Sequence, residues 1–259
     1  MERLVATAFP SQTPPEALTG VPVLAPKGLN NSVYLGLNHL SRQTPWAHGF
    51  MHGYALWLGP VLLAIIFVVA YCVAWWQRSS HATTLLALGG IGTVAALGLN
   101  QLVGHAAKEL RPYVSHPQAL VLVAKSNDYA FPSDHSVLAG GLTVSILLAL
   151  YVGSSLRLHA KGGFGGASVP TRRAVRALRV LAATSLVLGL FLCFARVYVG
   201  AHYPGDVVAG YLLGAVTVVA VGLLRPVAFL AVDAVDATVV GNLFRRPPTE
   251  LSRVRSTNS

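Results

Sequence analysis

Residues 194–206, FARVYVGAHYPGD, set three ionisable side chains at fixed intervals between two apolar runs. Five residues separate Arg196 from His202, and three residues separate His202 from Asp206. A charge at the end of an apolar run costs free energy unless an anion or a polar group pairs with it. Histidine can attack an electrophile or transfer protons, and a nearby carboxylate can fix its tautomer. The stretch therefore predicts an anion site that reacts through histidine.

Two earlier stretches carry the other groups that such chemistry needs. KELRP contains Lys108 and Arg111, and FPSDHS contains Ser133 and His135. Lysine and arginine neutralise phosphate oxygens, while a serine hydroxyl and the N–H groups of a helix N-terminus add directed donors. The second histidine can protonate a leaving oxygen and later accept a proton from water. Together the three stretches contain the groups required for a metal-free phosphoryl transfer.

Each of these residues, taken alone, also has a purely structural interpretation. Lys108 and Arg111 can be flanking residues whose long side chains reach from a membrane span to water. Ser133 and Asp206 can cap the helices that follow them, a role compatible with catalysis. Either histidine can be an ordinary interfacial side chain. The interpretation as a reactive site depends on the joint occurrence of all three stretches.

A zinc site is the competing chemical interpretation of the same histidines. Zinc would need a third histidine or a cysteine close by, and His105 and His116 lack the spacing of metal ligands. The positive groups around the site, Lys108, Arg111 and Arg196, would also repel a divalent cation. We therefore predict no metal and no cofactor.

The composition indicates which elements must position these residues. The chain has 259 residues, of which 54% are hydrophobic and 11% charged, with a mean hydropathy of +0.59. Its five long apolar segments approach or exceed the length that crosses a hydrocarbon layer, and they fall at 54–76, 83–104, 136–153, 177–195 and 206–224. A span must satisfy its backbone internally, so the predicted fold is all-α, a polytopic membrane bundle of about five helices.

The distribution of basic residues predicts the orientation of this bundle. The net charge of +10 is not concentrated in one soluble domain with interleaved aromatic residues, which argues against a nucleic-acid partner. Alternating loops place twelve of the nineteen basic residues on one side: Arg78, six between 157 and 179, and five between 225 and 255. The positive-inside rule assigns that side to the cytoplasm. The three reactive stretches then share the outer face.

The five apolar segments divide the chain into three predicted regions. Residues 1–53 are expected to form an outer segment with a short interfacial helix, which Pro45 must interrupt. Residues 54–225 form the predicted catalytic bundle, and 226–259 an interfacial segment with a basic cytoplasmic tail. Glycine and arginine dominate 154–176, which predicts a flexible cytoplasmic linker.

The sequence resembles the type 2 phosphatidic acid phosphatase superfamily of membrane lipid phosphatases. The family pattern is K-x6-R-P, then P-S-G-H, then S-R-x5-H-x3-D; here PSDH stands at 132–135 and AR-VYVGA-H-YPG-D at 195–206. The resemblance implies a helical bundle with its active site at one membrane face. It also implies the roles of six residues: His202 as the nucleophile that forms a phosphohistidine, Asp206 as its support, His135 as general acid and then base, and Arg111, Ser133 and Arg196 as phosphate ligands.

The chain departs from the family pattern at three positions. Gly104 stands where the family has lysine, and the nearest lysine is Lys108, three residues before Arg111. If this segment is helical, Lys108 lies on a neighbouring face and can serve as a substrate-binding residue instead. Asp134 replaces the glycine, and Ala195 replaces the serine. An acid beside bound phosphate would repel it unless the side chain turns away.

The residues of the second and third motifs, PSDH and ARVYVGAHYPGD, look most like those of the bacterial undecaprenyl-diphosphatase branch. This resemblance implies an integral enzyme of the bacterial plasma membrane that hydrolyses undecaprenyl or another polyprenyl diphosphate to the monophosphate and phosphate. The alternative substrates are phosphatidic acid and phosphatidylglycerol phosphate. A lipid-phosphate binding or transport protein without catalysis is the alternative from another class, although neither repeated halves nor broken helices are evident.

Overall fold

The computed structural model describes residues 28–77, 79–159 and 171–226. Within these ranges all regular structure is helical, and no strand occurs. The chain divides into two compact units, residues 1–222 and residues 223–259, and the elements below belong to the first. The predicted interfacial segment and basic tail at 226–259 lie outside the described residues, apart from residue 226 itself.

The helices follow one another as in the predicted bundle. They are α1 (Leu29–Gln43), α2 (His48–Gly53), α3 (Gly59–Trp76), α4 (Ser80–Ala107), α5 (Pro112–Ser115), α6 (Asp134–His159), α7 (Arg172–Tyr198) and α8 (Pro204–Gly222). A 3₁₀ turn at Pro45–Ala47 precedes α2, and a π-helical turn at Tyr54–Leu58 connects α2 to α3.

Five helical segments are long and apolar enough to cross a membrane. They are Pro45–Trp76, His81–Ser115, Asp134–Ser155, Arg172–Tyr198 and Pro204–Gly222. The prediction of an all-α membrane bundle with five spans is therefore confirmed. Large apolar side chains such as Ile65, Ile91, Val94 and Val187 remain more than half exposed on these helices. Such a surface is suited to contact with acyl chains.

The predicted linker at 154–176 is too long. Helix α6 continues to His159, and α7 already begins at Arg172, so only residues 160–171 lie between them, of which 160–170 are outside the described residues. The hydroxyl of Thr171 accepts a hydrogen bond from the Ala174 N–H at 3.2 Å and so caps α7. Hydropathy alone predicts helices that are too short. A helix can continue beyond its apolar part when a cap satisfies its first N–H donors.

Helix α6 packs against α4, α7 and α8 in the interior of the bundle. Glycines make the contact with α8 close: a Cβ on Gly140 would overlap the Tyr211 carbonyl, and one on Gly214 would overlap the Val137 carbonyl. Small residues at such crossings are the usual way in which membrane helices approach closely. This packing sets the N-terminal ends of α6 and α8 side by side, where the Ser133 N–H donates to the Asp206 carbonyl at 3.1 Å.

Helix α1 is the short helix predicted before the first span, and it ends at Gln43, ahead of Pro45. Its buried residues are Tyr34, Asn38 and Ser41, whereas the apolar side chains of Val33, Leu35 and Leu40 are about 40% exposed. The buried face is therefore largely polar. An exposed apolar face is suited to a membrane surface, and the interfacial position stays a prediction.

Candidate active site

The structure brings four of the predicted site residues together around a fifth, His202, which is only 2% exposed. The Nη1 atom of Arg111 lies 3.1 Å from His202 Nε2, and Arg196 Nη2 lies 3.2 Å from the same nitrogen. Asp206 approaches the other ring nitrogen, with its Oδ2 atom 3.4 Å from Nδ1. Ser133 is joined to Asp206 through the backbone hydrogen bond between α6 and α8.

The contacts of His202 define its tautomer. A guanidinium group can only donate hydrogen bonds, so Nε2 must accept from both arginines and carry the lone pair. The proton then resides on Nδ1, which donates to the Ala130 carbonyl at 2.9 Å and faces the Asp206 carboxylate. Burial, followed by the charges of Arg196 and Arg111, holds the pKa of His202 well below its ordinary value. His202 is therefore a neutral imidazole whose lone pair lies between two cations.

Asp206 serves the fold and the site together. It is fully buried, and its Oδ2 atom accepts the backbone N–H of Tyr203 at 2.8 Å. Tyr203 directly precedes α8, so the carboxylate reaches back to the capping residue from the third helical position, as in a capping box. The same oxygen faces His202 Nδ1. Capping thus fixes the carboxylate where it can orient the histidine.

A tight turn between α7 and α8 delivers His202 to the site. Gly200 adopts φ +79°, a left-handed conformation that side chains disfavour, and a Cβ there would lie 2.6 Å from the Leu120 carbonyl oxygen. The Leu122 N–H donates to the Val199 carbonyl at 2.9 Å and attaches the loop after α5 to this turn. Glycine is therefore needed at position 200 for both conformation and space.

Arg111 is held by Asp128, a residue that the sequence analysis did not identify. The Nη2 atom of Arg111 lies 3.0 Å from Asp128 Oδ2, and its Nε donates to the Asp128 carbonyl at 3.4 Å. Burial acts to raise the pKa of Asp128, but the Ser126 hydrogen bond and the Arg111 charge outweigh it and leave the pKa below its ordinary value. The available sequence signal was an acid in the same loop between two spans as the arginine.

Arg196 and His135 both contact the turn that precedes α3. Arg196 is 5% exposed, and its Nη1 atom lies 3.5 Å from the Ala55 carbonyl oxygen. His135 is half-buried, lies next to the backbone of Leu56 and is within electrostatic reach of Arg196 and His202. The first span thus supplies backbone groups to a site that the sequence assigned to the later spans.

The N-terminus of α6 supplies neutral donors. Ser133 is fully buried, and its hydroxyl has no hydrogen-bond partner among the described residues. The N–H groups of Asp134 and His135 stand in the first turn, where a helix offers no acceptor for its own donors. Such a group of donors is suited to an anion.

Asp134 turns its side chain away from His202. Its Oδ1 atom accepts from Asn100 Nδ2 at 2.6 Å and from Gln101 Nε2 at 3.1 Å, both on α4. Asn100 also donates to the Pro132 carbonyl at 3.0 Å. These bonds hold the carboxylate on the side of α4 and attach the PSDH segment to that helix.

The structure does not support the helical relationship assumed between Lys108 and Arg111. Helix α4 ends at Ala107, and Lys108 adopts a left-handed conformation with φ +52°, its N–H bonded to the Gly104 carbonyl at 2.9 Å. The chain therefore turns between the two residues, and the Lys108 side chain is exposed. Gly104, at the position of the family lysine, lines a cavity of about 180 Å³ together with Asp134.

The histidines considered as zinc ligands have other partners. His105 Nδ1 lies 2.7 Å from the Gln101 carbonyl oxygen, and His116 Nε2 lies 2.7 Å from Asn31 Oδ1. Across the described ranges, no group of three or more His, Cys, Asp or Glu side chains could hold a metal ion.

Comparison with known proteins identifies a family model and several relatives that match this chain. The family model of the PAP2 superfamily matches residues 83–228, more than half of the chain. The undecaprenyl-diphosphatase BcrC of Bacillus subtilis is 27% identical over 188 residues, 70% of this chain and 82% of that protein. An undecaprenyl-diphosphatase of Sulfolobus acidocaldarius is 27% identical over 124 residues, 48% of this chain and 47% of its own length.

Among solved structures, a PAP2-type phosphatidylglycerolphosphate phosphatase from Bacillus subtilis is similar with a TM-score of 0.47 and 20% identity, covering 76% of this chain and 87% of that one. The extent of the family match decides the assignment. This chain belongs to the PAP2 superfamily and is a membrane lipid phosphatase of that family.

Proposed function

We propose that this protein hydrolyses undecaprenyl diphosphate, or another polyprenyl diphosphate, to the monophosphate and inorganic phosphate through a phosphohistidine on His202. The observation that carries the proposal is the neutral His202 ring, whose Nε2 lone pair lies between the Arg111 and Arg196 guanidinium groups. Relatives named undecaprenyl-diphosphatase support the choice of substrate.

In the first step the arginines exchange partners. The guanidinium N–H groups of Arg111 and Arg196 now donate to the oxygens of the terminal phosphate instead of to His202 Nε2. The released lone pair attacks phosphorus, so the N–P bond forms while the bond from phosphorus to the bridging oxygen breaks. The ring becomes cationic, and the Ala130 carbonyl and the Asp206 carboxylate stabilise its Nδ1–H.

Two further groups complete the reaction. His135 protonates the bridging oxygen as the lipid monophosphate leaves, and the Ser133 hydroxyl with the first N–H groups of α6 holds the transferring phosphoryl group. In the second step His135 takes a proton from water, whose oxygen bonds to phosphorus as the N–P bond breaks. Phosphate leaves and His202 regains its lone pair.

The charges in this scheme come from the protein, so the proposed reaction is independent of metal ions and cofactors. Arg111 and Arg196 neutralise the developing charge on the phosphoryl oxygens. Lys108, exposed beyond the end of α4, stays predicted as a substrate-binding residue.

A non-catalytic binding protein fits the site less well. Binding of a phosphate needs cations and donors, but it does not need a neutral histidine whose tautomer is fixed by two acceptors. The site residues identify only the phosphate group of the substrate and leave its lipid part open.

Phosphatidic acid and phosphatidylglycerol phosphate are therefore the alternative substrates, and their hydrolysis is measured beside that of undecaprenyl diphosphate.

The test is phosphate release by the detergent-purified protein in excess chelator. We expect wild type to hydrolyse undecaprenyl diphosphate under these conditions and His202→Ala to lose activity by at least about 1,000-fold, as expected for loss of a nucleophile. His39→Ala is the matched control, because His39 is exposed and hydrogen-bonded only to Gln43 among the described residues. Full activity of His202→Ala would contradict the mechanism, and turnover of a phospholipid alone would change the substrate.

A further inference from the structure

We propose that Pro60 is a positioning residue of the active site, because it leaves the carbonyls of Ala55 and Leu56 free to hold Arg196 and His135. The proposal rests on the function proposed above and adds the first span to the machinery. Residue 60 lies outside the stretch 83–228 that the family model matches.

Helix geometry explains why these carbonyls are free. In an α-helix the carbonyl of residue 56 accepts from the N–H of residue 60, and proline has no N–H. At the π turn the Gly59 N–H donates to Tyr54 rather than to Ala55. The next residue able to serve Ala55 is again Pro60. The π turn and the proline together therefore remove the α-helical donors, the N–H groups of residues 59 and 60, from two consecutive carbonyls.

Both carbonyls belong to backbone that adjoins active-site side chains. Arg196 Nη1 lies 3.5 Å from the Ala55 oxygen, and the His135 ring lies next to the backbone of Leu56. Arg196 is 95% buried, and a buried guanidinium needs acceptors for its N–H groups. An acceptor on one nitrogen orients the plane of the group, which places Nη2 3.2 Å from His202 Nε2.

The π turn is packed tightly against the helix that carries Arg196. A Cβ on Gly59 would lie 2.9 Å from Leu192 Cδ1 on α7 and 2.8 Å from the Tyr54 carbonyl oxygen. The Tyr54 hydroxyl donates to the Leu188 carbonyl of α7 at 2.9 Å. The turn therefore has a fixed position relative to Arg196, as a positioning element requires.

Pro60→Ala is the direct test, because it restores one N–H donor at the critical place. That N–H competes with His135 for Leu56 and with Arg196 for Ala55. We expect kcat/KM for the lipid substrate to fall about tenfold, the effect of one weakened hydrogen bond at the reacting groups. We expect the inhibition constant of orthovanadate to rise by a similar factor. The melting temperature should not fall, because alanine favours a helix over proline.

Val61→Ala is the matched control. Val61 is 49% exposed and already has its N–H, so the substitution truncates a neighbouring side chain without adding a donor. Its kcat/KM and vanadate inhibition constant should equal those of wild type. Pro60→Leu, which adds the same donor with an apolar side chain, should reproduce the effect of Pro60→Ala and serves if that variant folds poorly.

The inhibition constant separates positioning from a structural role. Partial unfolding lowers the amount of active enzyme but leaves the vanadate inhibition constant of the remaining enzyme unchanged. Wild-type values of kcat/KM and of this constant in both proline variants would overturn the proposal for Pro60. Activity in His202→Ala would instead overturn the proposed function, so the two failures are distinguishable.

Discussion

At the residue scale, Arg111 and Arg196, the proposed phosphate ligands, both contact His202 Nε2. Two guanidinium groups converge on one imidazole nitrogen, with Arg111 9% exposed and Arg196 5% exposed. Two cations buried this close repel each other, so each needs its own acceptor. Arg111 has Asp128, and Arg196 has the Ala55 carbonyl. A dianionic phosphate would supply the missing negative charge, which is a physical reason for the site to bind one.

Asp128 should compete with phosphate for Arg111. Asp128→Asn keeps an oxygen acceptor for the guanidinium but removes the negative charge, so phosphate gains a stronger interaction with Arg111. Because the Asp128 side chain is 61% exposed, solvent screening keeps the effect small. We expect the inhibition constant of inorganic phosphate to fall about two- to fivefold. The measurement is product inhibition of lipid hydrolysis.

Glu109→Gln is the control for this prediction. It removes a carboxylate from the same loop, and the described residues show no ion pair between Glu109 and Arg111. If the phosphate inhibition constant falls equally in both variants, the effect comes from the net charge of the loop and the prediction for the Asp128 ion pair is wrong.

At the element scale, α1 supports the loop that adjoins the turn before His202. Asn38 is 4% exposed, donates to the Leu120 carbonyl at 2.7 Å and accepts the Leu120 N–H at 3.1 Å. Asn30 likewise accepts the Gly205 N–H at 2.8 Å at the start of α8. Paired backbone groups of this kind fix a loop more firmly than apolar contact does, because an unpaired buried group carries a large penalty.

Removing the Asn38 side chain should therefore destabilise the protein. Asn38→Ala leaves the buried N–H and carbonyl of Leu120 without partners, at a cost of about 2 kcal/mol. We expect the melting temperature in detergent to fall by about 4–8 °C. Leu35→Ala, on the exposed apolar face of α1, should change it by much less. Equal shifts in the two variants would show that the Asn38 hydrogen bonds do not stabilise the loop.

At the scale of the whole molecule, the site lies where the ends of α4 and α7 meet the beginnings of α6 and α8. These helix ends share one end of the bundle because consecutive spans alternate in direction. Four arginines, Arg172, Arg173, Arg176 and Arg179, stand in the first turns of α7, at the opposite end of the bundle from the site, which supports the proposal that the site faces outward.

Accessibility of engineered cysteines tests this orientation. Lys125 and Arg173 are both exposed and belong to opposite ends of the bundle. In intact cells, we expect a membrane-impermeant maleimide to label Lys125→Cys but not Arg173→Cys, which should react only after permeabilisation. The wild-type protein, with Cys72 and Cys193 inside spans, measures the background. The reverse pattern of labelling would place the site at the cytoplasmic face.

The sequence by itself determined the five spans and the grouping of Arg111, Ser133, Arg196, His202 and Asp206. Hydropathy is a local property, and a long apolar helix satisfies its backbone without tertiary contacts, so spans can be read from composition. Alternation of spans then assigns every loop to one of two faces. The motif spacing fixed the histidine and its carboxylate, because His202 lies on the short turn before α8 and Asp206 in the first turn of that helix.

Only the tertiary structure decided which groups support these residues. The Asp128 ion pair, the Ala130 acceptor and the Ala55 carbonyl join residues from 17 to 141 positions apart, and no local pattern encodes such pairs. Lys108 differed from expectation because a left-handed residue ended α4, and Asp134 turned aside because Asn100 offered a buried donor. Side-chain direction depends on the nearest available partner, and packing alone determines which partner is near.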